Sequence, residues 1–534
     1  MRRRSLLIAA VATALVAGCS GSGGTDSAAA GDPVSGGSLT WGIETEPITV
    51  NPHQYAQAKA RLLVWNTFEA LLTHDDKGGY RPWLATGYEA SPDGLTYTVK
   101  LRTGVTFSDG TTFDAAAVKA NVDQLLADGY APAVAGVQLK NLKSVDVVDP
   151  STVRYTLTRP DVLILDFLSS PQGAIVSPKS LREARNLKAG GTDLAGTGPF
   201  ILDRYTPGQE LHYKRNPNYR DRPAYLDEVT YRFLKESSVR VGALTSGQVQ
   251  VIEGVPATDQ AQITGNPALT LSKGLNSGSA YSYYFNVTHA PFDDIRVRQA
   301  FRDAVDVDAV LQGVYRGTAT RAWSVIGPTS PLYDKTLEGT FGGDAARANA
   351  TLDAAGWSAR DADGFRVKDG KRLTVRLVQS APFVRDRREI LAQAVQAAVK
   401  QSAGIDLQVS VVDQGTATAA LEKGEYEIFD NSRADTDAGA ALNLLLASNG
   451  AINRLGVQDK EIDGLLEKGQ AAQDATARAA VYRQLQQKVI ADDSLILPLY
   501  APADQIASSR KVGGLQFEPT AGVPGSAYTV WLSK

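Results

Sequence analysis

The segment Ser91-Pro92-Asp93-Gly94-Leu95-Thr96-Tyr97-Thr98-Val99-Lys100-Leu101-Arg102 carries the clearest pattern in the chain. It opens on a turn, because Asp93-Gly94 is a dipeptide that supplies positive φ. After the turn, apolar residues at 95, 97, 99 and 101 alternate with threonine, lysine and arginine. A period of two residues is typical of a β-strand with one buried face. The segment therefore predicts a strand over residues 95–102.

Further β-structure is predicted on both sides of this strand. Residues 37–42 read as a first strand, and 144–148 and 152–157 as a hairpin that turns through Asp149-Pro150-Ser151. Between them, Asp114 can cap a helix. The apolar spacing assigns four residues to the buried face of that helix: Val118, Val122, Leu125 and Leu126. The first half of the chain is thus predicted to be rich in β-structure.

The later third alternates strands with helices. Strands are predicted at 373–378, 405–411, 426–429 and 495–500. Helices are predicted to begin after Asp344 and Asp474, and another covers 416–423. A further helix is indicated by apolar residues at helical spacing: Ile390, Leu391, Ala394, Val395, Ala398 and Val399. This alternation predicts an α/β lobe with parallel strands over about 287–500.

The tail, 501–534, contains a strand-like stretch at 528–532 but no second strand to pair with it. We therefore expect the tail to dock on the first lobe, which would make that lobe discontinuous. A chain of 534 residues is too long for one hydrophobic core, so two or more lobes are expected.

The charge balance excludes one class of partner. The chain carries 55 Lys and Arg against 58 Asp and Glu, with a formal net charge of −3. Nucleic-acid binding needs a basic excess, so no nucleic-acid partner is expected. Since there is 1 cysteine, an internal disulfide and a cysteine-ligated metal site are both excluded.

That cysteine, Cys19, follows the pattern of a lipoprotein signal peptide. Arg2, Arg3 and Arg4 precede an apolar run over 6–17, and small residues lead directly to the thiol. The run is too short to span a bilayer, and polar or small neighbours disfavour a buried structural cysteine. We predict a signal peptide over 1–18 and a diacylglycerol-modified Cys19 as the mature N-terminus. Residues 19–36 then form a flexible tether, and the protein stands at the outer face of the cytoplasmic membrane.

The sequence offers no catalytic motif. It lacks a Gly-x-Ser-x-Gly elbow, a His-Glu-x-x-His helix and a phosphate loop. Its histidines, His53, His74, His212 and His289, are far apart and share no metal-ligand spacing. We therefore expect no catalytic residue, no metal and no cofactor, and a secreted peptidase or hydrolase remains the alternative class.

Several motifs in fixed order resemble one known family. They are Pro82-Trp83-Leu84-Ala85, the segment 91–102, Val105-Thr106-Phe107-Ser108-Asp109-Gly110-Thr111, Gly196-Thr197-Gly198-Pro199-Phe200, Arg215-Asn216-Pro217-Asn218-Tyr219, Ala243-Leu244-Thr245-Ser246-Gly247, Phe285-Asn286, residues 291–300, Ala354-Ala355-Gly356-Trp357 and Leu497-Pro498-Leu499-Tyr500. This set is similar to that of the extracellular solute-binding proteins of family 5, the dipeptide, oligopeptide and nickel class that serves ABC importers. The resemblance runs from about residue 37 to the C-terminus.

The resemblance implies an α/β, two-lobed periplasmic-binding-protein-like fold with mixed sheets and a discontinuous first lobe. Domain I would comprise 37–285 plus 502–534, with an extra β-rich subdomain at about 71–194. Domain II would comprise 286–501. Hinge bending would close the lobes over a solute, and the closed monomer would be what the membrane permease recognises.

The resemblance also implies where a ligand binds. Peptide-binding members hold an ammonium group on an aspartate, and the matching stretch here is Asn431-Ser432-Arg433-Ala434-Asp435. Asp435 is the first candidate and Asp437 the second, with a solvated loop aspartate as the alternative. Ser432 departs from the tryptophan that peptide binders often carry.

The first-lobe loop after Asn51-Pro52 adds Tyr55 and Gln57, and the aromatic residues Tyr130 and Trp323 are further candidates that could instead belong to lobe cores. His53 has no visible second metal ligand. The leading hypothesis is a lipid-anchored receptor for a peptide-like solute. A haem or metal chelate, an opine-like conjugate or an oligosaccharide are alternative cargoes, and a signalling or adhesion protein is another class.

Overall fold

The computed structural model describes residues 31–54, 61–76, 78–128, 130, 133–276, 278–381, 384, 387–433, 437–519 and 522–533. The predicted Cys19, Tyr55, Gln57 and Asp435 lie outside these residues. The strands are β1 Ser38–Ile43, β2 Leu72–His74, β3 Tyr80–Pro82, β4 Ala85–Ala90, β5 Thr96–Leu101, β6 Leu142–Asp149, β7 Thr152–Leu157, β8 Phe200–Thr206, β9 Glu210–Arg215, β10 Glu228–Phe233, β11 Val251–Glu253, β12 Leu269–Leu275, β13 Tyr281–Phe285, β14 Thr320–Arg321, β15 Ala359–Arg360, β16 Arg366–Lys368, β17 Lys371–Arg372, β18 Thr374–Ser380, β19 Asp406–Val412, β20 Ile428–Asn431, β21 Ile496–Ala501, β22 Ala503–Ser509, β23 Val512–Gly513 and β24 Trp531–Leu532.

The helices are α1 Arg61–Thr67, α2 Ala115–Leu126, α3 Ala133–Gln138, α4 Leu163–Ser169, α5 Pro178–Glu183, α6 Ser237–Thr245, α7 Gln260–Thr264, α8 Ile295–Ala304, α9 Val307–Tyr315, α10 Ala345–Ala354, α11 Arg388–Ala403, α12 Gln414–Lys423, α13 Ala438–Leu446, α14 Lys460–Ala471 and α15 Ala475–Gln486. In the part of the chain that the structure describes, no helix combines the length and apolar character needed to cross a bilayer.

Three larger sheets organise the chain. The first lobe is built on a seven-stranded sheet in the order β12-β22-β11-β1-β10-β9-β8. The second lobe is built on a six-stranded sheet in the order β14-β21-β13-β20-β18-β19. A separate four-stranded sheet, β4-β5-β7-β6, forms the inserted β-rich part of the first lobe.

The alternating segment forms β5 as predicted, and Tyr97, Val99 and Leu101 are buried. The hairpin pairs β6 with β7 in antiparallel register. Asp114 caps α2, because its side chain accepts a hydrogen bond from the Ala117 N–H at 2.8 Å. One prediction for this helix is wrong: Leu126 is 56% exposed, because it lies in the last turn, where the helix ends.

The second lobe contains the predicted parallel strands. β18 pairs in parallel with β19 and with β20, and α11 packs against β19. On α11, Leu391, Val395 and Val399 are buried as the spacing predicts. Ile390 is instead 43% exposed, since it lies beside the buried stripe rather than within it. Asp344 and Asp474 cap α10 and α15 as predicted.

The tail returns to the first lobe but differs in detail from the prediction. β22 is inserted between β12 and β11 of the seven-stranded sheet. The expectation that the terminal strand has no partner in the tail is wrong, because β24 pairs with β23. The short length of β23, two residues, explains why no sequence pattern revealed it.

The chain crosses between the two main sheets twice. The first crossing lies between Leu275, which ends β12, and Tyr281, which begins β13 of the second sheet. The predicted limit of domain I at residue 285 therefore falls after a strand of the second sheet. The second crossing lies between Ala501 and Ala503. The domain limits themselves stay a prediction.

The Gly-Thr-Gly-Pro-Phe motif forms a tight corner in the first lobe. A Cβ at Gly196 would lie 2.0 Å from the Thr67 carbonyl oxygen, so no side chain fits there. The neighbouring Thr197 donates a hydrogen bond to the buried Glu69 at 2.7 Å. This motif therefore stabilises the scaffold.

Candidate functional site

One edge of the second-lobe sheet collects polar side chains. β18 and β20 run parallel and both end at this edge. β13 is antiparallel to β20 and to β21, so β13 begins and β21 ends at the same edge. Both crossings to the first lobe therefore leave from here. In open α/β sheets, ligands bind beyond the carboxyl ends of the parallel strands, which makes this edge the candidate site.

The structure brings together three of the sequence-predicted residues at this edge. Asn431, Ser432 and Arg433 follow one another at the end of β20, and all three are half-buried. The Arg433 backbone is fixed to the first crossing, because its N–H donates to Ser279 Oγ at 2.7 Å and its carbonyl accepts from Asn276 Nδ2 at 3.0 Å. Their role in binding a ligand stays a prediction.

Sequence reasoning missed a neighbouring carboxylate, Asp430. Its Oδ2 accepts hydrogen bonds from the Tyr281 hydroxyl at 2.5 Å and from Gln379 Nε2 at 2.8 Å. Asp430 is half-buried, whereas Tyr281 and Gln379 are fully buried. A signal was available, since Asp430 directly follows the predicted strand 426–429 and so stands where a parallel strand ends.

A cation, Arg388, lies over the face of the Tyr281 ring. The Arg388 guanidinium is stacked over the Tyr281 ring, 4.2 Å from its centroid. It also donates to the Ser432 hydroxyl at 2.8 Å and to the Tyr500 hydroxyl at 3.2 Å. Arg388 is only 5% exposed, so its guanidinium is held at this edge in a poorly hydrated setting.

On the first lobe, the residues before position 55 are held against the inserted β-rich part. Asn51 Nδ2 donates to the Tyr130 hydroxyl at 2.8 Å, and Gln54 Nε2 donates to the Tyr130 carbonyl at 3.2 Å. Tyr130 itself is buried in the core of the β-rich part. Burial raises the pKa of its hydroxyl, and the bond from Asn51 opposes that rise.

Two other predicted residues are engaged in packing. Trp323 is half-buried against the second-lobe core, with its ring edge-to-face with Phe341 and the Arg321 guanidinium 4.1 Å above it. Asp437 caps α13 and is 6% exposed. Its two oxygens accept from Arg478 at 2.6 and 2.8 Å. A ligand role for Asp437 or Trp323 stays a prediction.

The electrostatics of Asp437 reflect that pairing. Burial alone would raise the pKa of the carboxyl, but Arg478 and backbone donors of α13 outweigh burial and hold the pKa below its usual value. The matching pKa of Arg478 is well above its usual range, because Asp437 opposes the effect of burial. Asp437 is therefore ionised in the folded protein at any ordinary pH.

Two hydrogen bonds join the β-rich part of the first lobe to the second lobe. The Val162 N–H donates to the Gln470 carbonyl at 2.9 Å. The Gln473 side chain donates to the Ser91 carbonyl at 3.3 Å. A Cβ at Gly94 would lie 2.5 Å from Gln473 Nε2, so the turn that precedes β5 is also a contact surface for the second lobe.

A cavity of about 1040 Å³ is lined by the first lobe. Its walls are parts of β2, β3 and β12, the loop at 219–221, and tail residues within 508–519 and 525–529. Within the described ranges, no group of three His, Cys, Asp or Glu side chains is arranged to hold a metal ion.

Two buried histidines, His53 and His74, make the stability of the folded protein depend on pH. Burial lowers the pKa of His53 from 6.5 to about 4, and burial together with Arg61 does the same for His74. The unfolded chain therefore binds these protons more tightly than the folded protein. Each neutral ring makes its full contribution to the stability of the folded protein above the pKa of the same histidine in the unfolded chain. That contribution is lost as the pH falls from this value toward 4.

We expect the free energy of unfolding to fall by about 2 kcal/mol per histidine between pH 7 and pH 5. Urea denaturation at both pH values measures this change. His53→Asn is the matched variant, because it removes one titrating group and can still donate to the Ala174 carbonyl, which His53 Nε2 contacts at 3.1 Å. An identical pH dependence in the variant would contradict the assignment to His53.

Comparison with known proteins gives one consistent result. The model of the family described as bacterial extracellular solute-binding proteins, family 5 Middle, matches residues 79–453. The glutathione-binding protein GsiB of Escherichia coli O1:K1 is 28% identical over 540 aligned residues, covering 98% of each chain.

Two solved structures are similar over nearly the whole chain. NikA from Brucella suis, in complex with Fe(III)-EDTA, is 27% identical with a TM-score of 0.80, covering 91% of this chain and 98% of that one. AgaA from A. tumefaciens R10, in complex with agropinic acid, is 26% identical with a TM-score of 0.73, covering 93% and 99%.

Proposed function

The chain belongs to family 5 of the bacterial extracellular solute-binding proteins, and on that premise we propose that its cargo is a peptide-like solute held at the polar edge of the second lobe. Proteins of this family are substrate-binding receptors of ABC importers, located in the periplasm or outside the cell, and are not enzymes. The same role therefore holds for this chain.

The observation that carries the peptide-like cargo is the carboxylate at this edge. Asp430 is half-buried and bonded to the neutral donors Tyr281 and Gln379. A peptide carries an ammonium group that a carboxylate can bind and amide groups that can bond to the polar side chains around it. The similarity to a glutathione-binding protein supports the same class, because glutathione is a tripeptide.

An opine-like conjugate is the second candidate. The similarity to AgaA, solved with agropinic acid, favours it, since such conjugates also carry amino-acid charges. Titration of the protein with glutathione, a mixed tripeptide library and agropinic acid distinguishes these cargoes. We expect binding of at least one peptide probe. Binding of agropinic acid alone would replace the peptide proposal.

We further propose that solute binding closes the lobes and that the two bonds from the β-rich part, Val162–Gln470 and Gln473–Ser91, belong to the closed form. Neither bond uses a side chain of the polar edge, so both can stabilise closure without taking part in solute binding. A permease could then recognise the closed receptor, which we expect to act as a monomer.

Removing these bonds should favour the open form. In Val162→Pro the donor is lost, while the Val162 φ of −72° suits proline. Combined with Gln473→Ala, this change should weaken peptide binding about 5- to 150-fold, because each of the two bonds contributes about 0.5–1.5 kcal/mol to the closed form. Calorimetry measures affinity, and small-angle scattering measures the solute-induced decrease in radius of gyration.

The matched control is Gln458→Ala, because the Gln458 side chain donates to the Ser448 carbonyl within the second lobe. This variant should bind peptides like the native protein. Native affinity in the Val162→Pro, Gln473→Ala variant would show that the two bonds do not contribute to the bound form.

We also propose that the receptor is anchored by a diacylglycerol on Cys19, with residues 19–36 as the tether. Support comes from the signal pattern that precedes Cys19 and from the absence of any other cysteine in the sequence. Such an anchor would keep the receptor near its permease at the outer face of the cytoplasmic membrane.

A further inference from the structure

The cavity of about 1040 Å³ in the first lobe is lined by residues other than those of the proposed peptide site. None of the described residues that line it belongs to the second lobe or to the polar edge of its sheet. Its volume is at the upper end of the range found for sites that hold small organic ligands. The first-lobe cavity is therefore a candidate for a second, separate binding site.

Three arginines that line this cavity are held in the same way. Each donates through Nε to a backbone carbonyl: Arg81 to His74 at 3.1 Å, Arg102 to Trp83 at 2.6 Å and Arg510 to Pro267 at 2.6 Å. In the part of the chain that the structure describes, their Nη atoms form no hydrogen bond or ion pair with protein. Guanidinium groups with free Nη atoms are well suited to bind the oxygens of a carboxylate or a phosphate.

The carboxylates that line the cavity do not neutralise these arginines. Three of them have other partners: Glu518 pairs with Arg61 at 3.3 Å, Asp221 with Arg220 at 3.2 Å, and Asp75 accepts from the Gly79 N–H at 2.8 Å. A fourth, Asp76, is exposed and forms no ion pair with a described residue. Uncompensated charge at the cavity is therefore mainly positive, which favours an anionic ligand.

Aromatic rings form another part of the cavity wall. Trp65 and Trp83 meet edge-to-face with their centroids 5.1 Å apart, and Tyr219 and Tyr528 do the same at 5.3 Å. Because Arg102 is bonded to the Trp83 backbone, a guanidinium is held beside the first of these pairs. A flat apolar group can pack against such rings while an attached anion reaches the arginines.

We propose that the first-lobe cavity is a second binding site, for an aromatic molecule that carries a carboxylate or a phosphate group. The aromatic pairs supply the apolar contact, and Nη groups of Arg81, Arg102 and Arg510 donate hydrogen bonds to the anion. This inference goes beyond the peptide-like cargo and does not depend on it, because the two sites share no described residue.

The experiment measures the binding of three probes to the full chain by calorimetry: 1-naphthoate, 1-naphthyl phosphate and the neutral 1-naphthamide. We expect at least one of the two anions to bind about 10- to 150-fold more tightly than the amide, because hydrogen bonds to a charged group are lost in the amide. The anion that binds more tightly identifies the ligand group as a carboxylate or a phosphate.

Arg81→Gln combined with Arg510→Gln tests the role of the arginines. Both side chains are exposed, so the double variant should fold like the native protein. We expect it to bind the anionic probe about 10-fold more weakly or worse, while its affinity for the amide stays unchanged. Arg102→Gln removes the third guanidinium and should also weaken binding of the anion alone.

Arg185→Gln combined with Arg204→Gln is the matched control. These two arginines belong to the first lobe, pair with Asp193 and Glu210, and do not line the cavity. The control loses the same charge as the test variant, and its affinities for all three probes should equal those of the native protein.

Four results would overturn the inference. Binding of none of the probes refutes the site, and an amide that binds as tightly as both anions refutes the recognition of an anion. An equal loss of affinity in the test and control variants refutes the assignment to the arginines of the cavity. Displacement of the bound anion by the tripeptide library would place it in the peptide site. Failure of the peptides alone to bind refutes the proposed cargo and leaves this inference intact.

Discussion

Asp437→Asn is expected to lower the free energy of unfolding by about 3–5 kcal/mol, because it leaves the Arg478 guanidinium buried without its counter-charge. The two side chains are 5% and 12% exposed and share two hydrogen bonds, so water cannot replace the lost partner. Asparagine still caps α13, and the change therefore reports on the ion pair rather than on the helix. Chemical denaturation measures the effect.

A second substitution tests whether the lost stability comes from the unpaired charge of Arg478. Adding Arg478→Met should recover most of the lost stability, because an apolar chain of similar length fills the same space without an unpaired charge. A loss below about 1 kcal/mol for Asp437→Asn would contradict the structural role. If that variant kept its stability but lost peptide affinity, Asp437 would instead be the ligand anchor that the sequence offered as its second candidate.

Cys19→Ala is expected to abolish incorporation of labelled palmitate completely. In the proposed anchor the thiol of Cys19 would accept the diacylglycerol, since the sequence contains no other cysteine. Without the lipid, the protein loses the two acyl chains that hold a lipoprotein at a bilayer. Labelling in the native host, followed by electrophoresis of the purified chain, measures the effect.

Ser20→Ala is the control, because it alters the neighbouring residue and leaves the thiol in place. It should incorporate label like the native protein. Label that persists in Cys19→Ala, or its absence from the native protein, would contradict the anchor.

Local patterns predicted the elements well. Alternation identified β5, and aspartates at helix starts identified the N-termini of α2, α10 and α15, because a cap depends on residues three positions apart. The exceptions, Leu126 and Ile390, lie at the margin of a buried helix face, where spacing alone does not decide exposure. The pairing of β24 with β23 depended on a two-residue strand that carries no pattern.

The candidate site was predicted only in part, because the contacts that build it join residues far apart in the sequence. Asn431, Ser432 and Arg433 were found through the family resemblance, and the structure places them at the strand edge. Asp430 was missed because the groups that hold it, Tyr281 and Gln379, lie 149 and 51 positions away. Asp437 was offered as the second ligand candidate, and its pairing with Arg478, 41 positions further on, was not visible in the sequence. The place of Asp430 after a strand was a local signal, but the tertiary partners of both aspartates leave none.

Native mass spectrometry of the receptor, freshly purified from its own host, tests directly whether it captures a peptide-like solute. We expect an added mass on the folded protein that is released by acid and fragments as a peptide. A released molecule without an amide bond would contradict the peptide-like cargo. So would a protein that carries no added mass even after incubation with the tripeptide library.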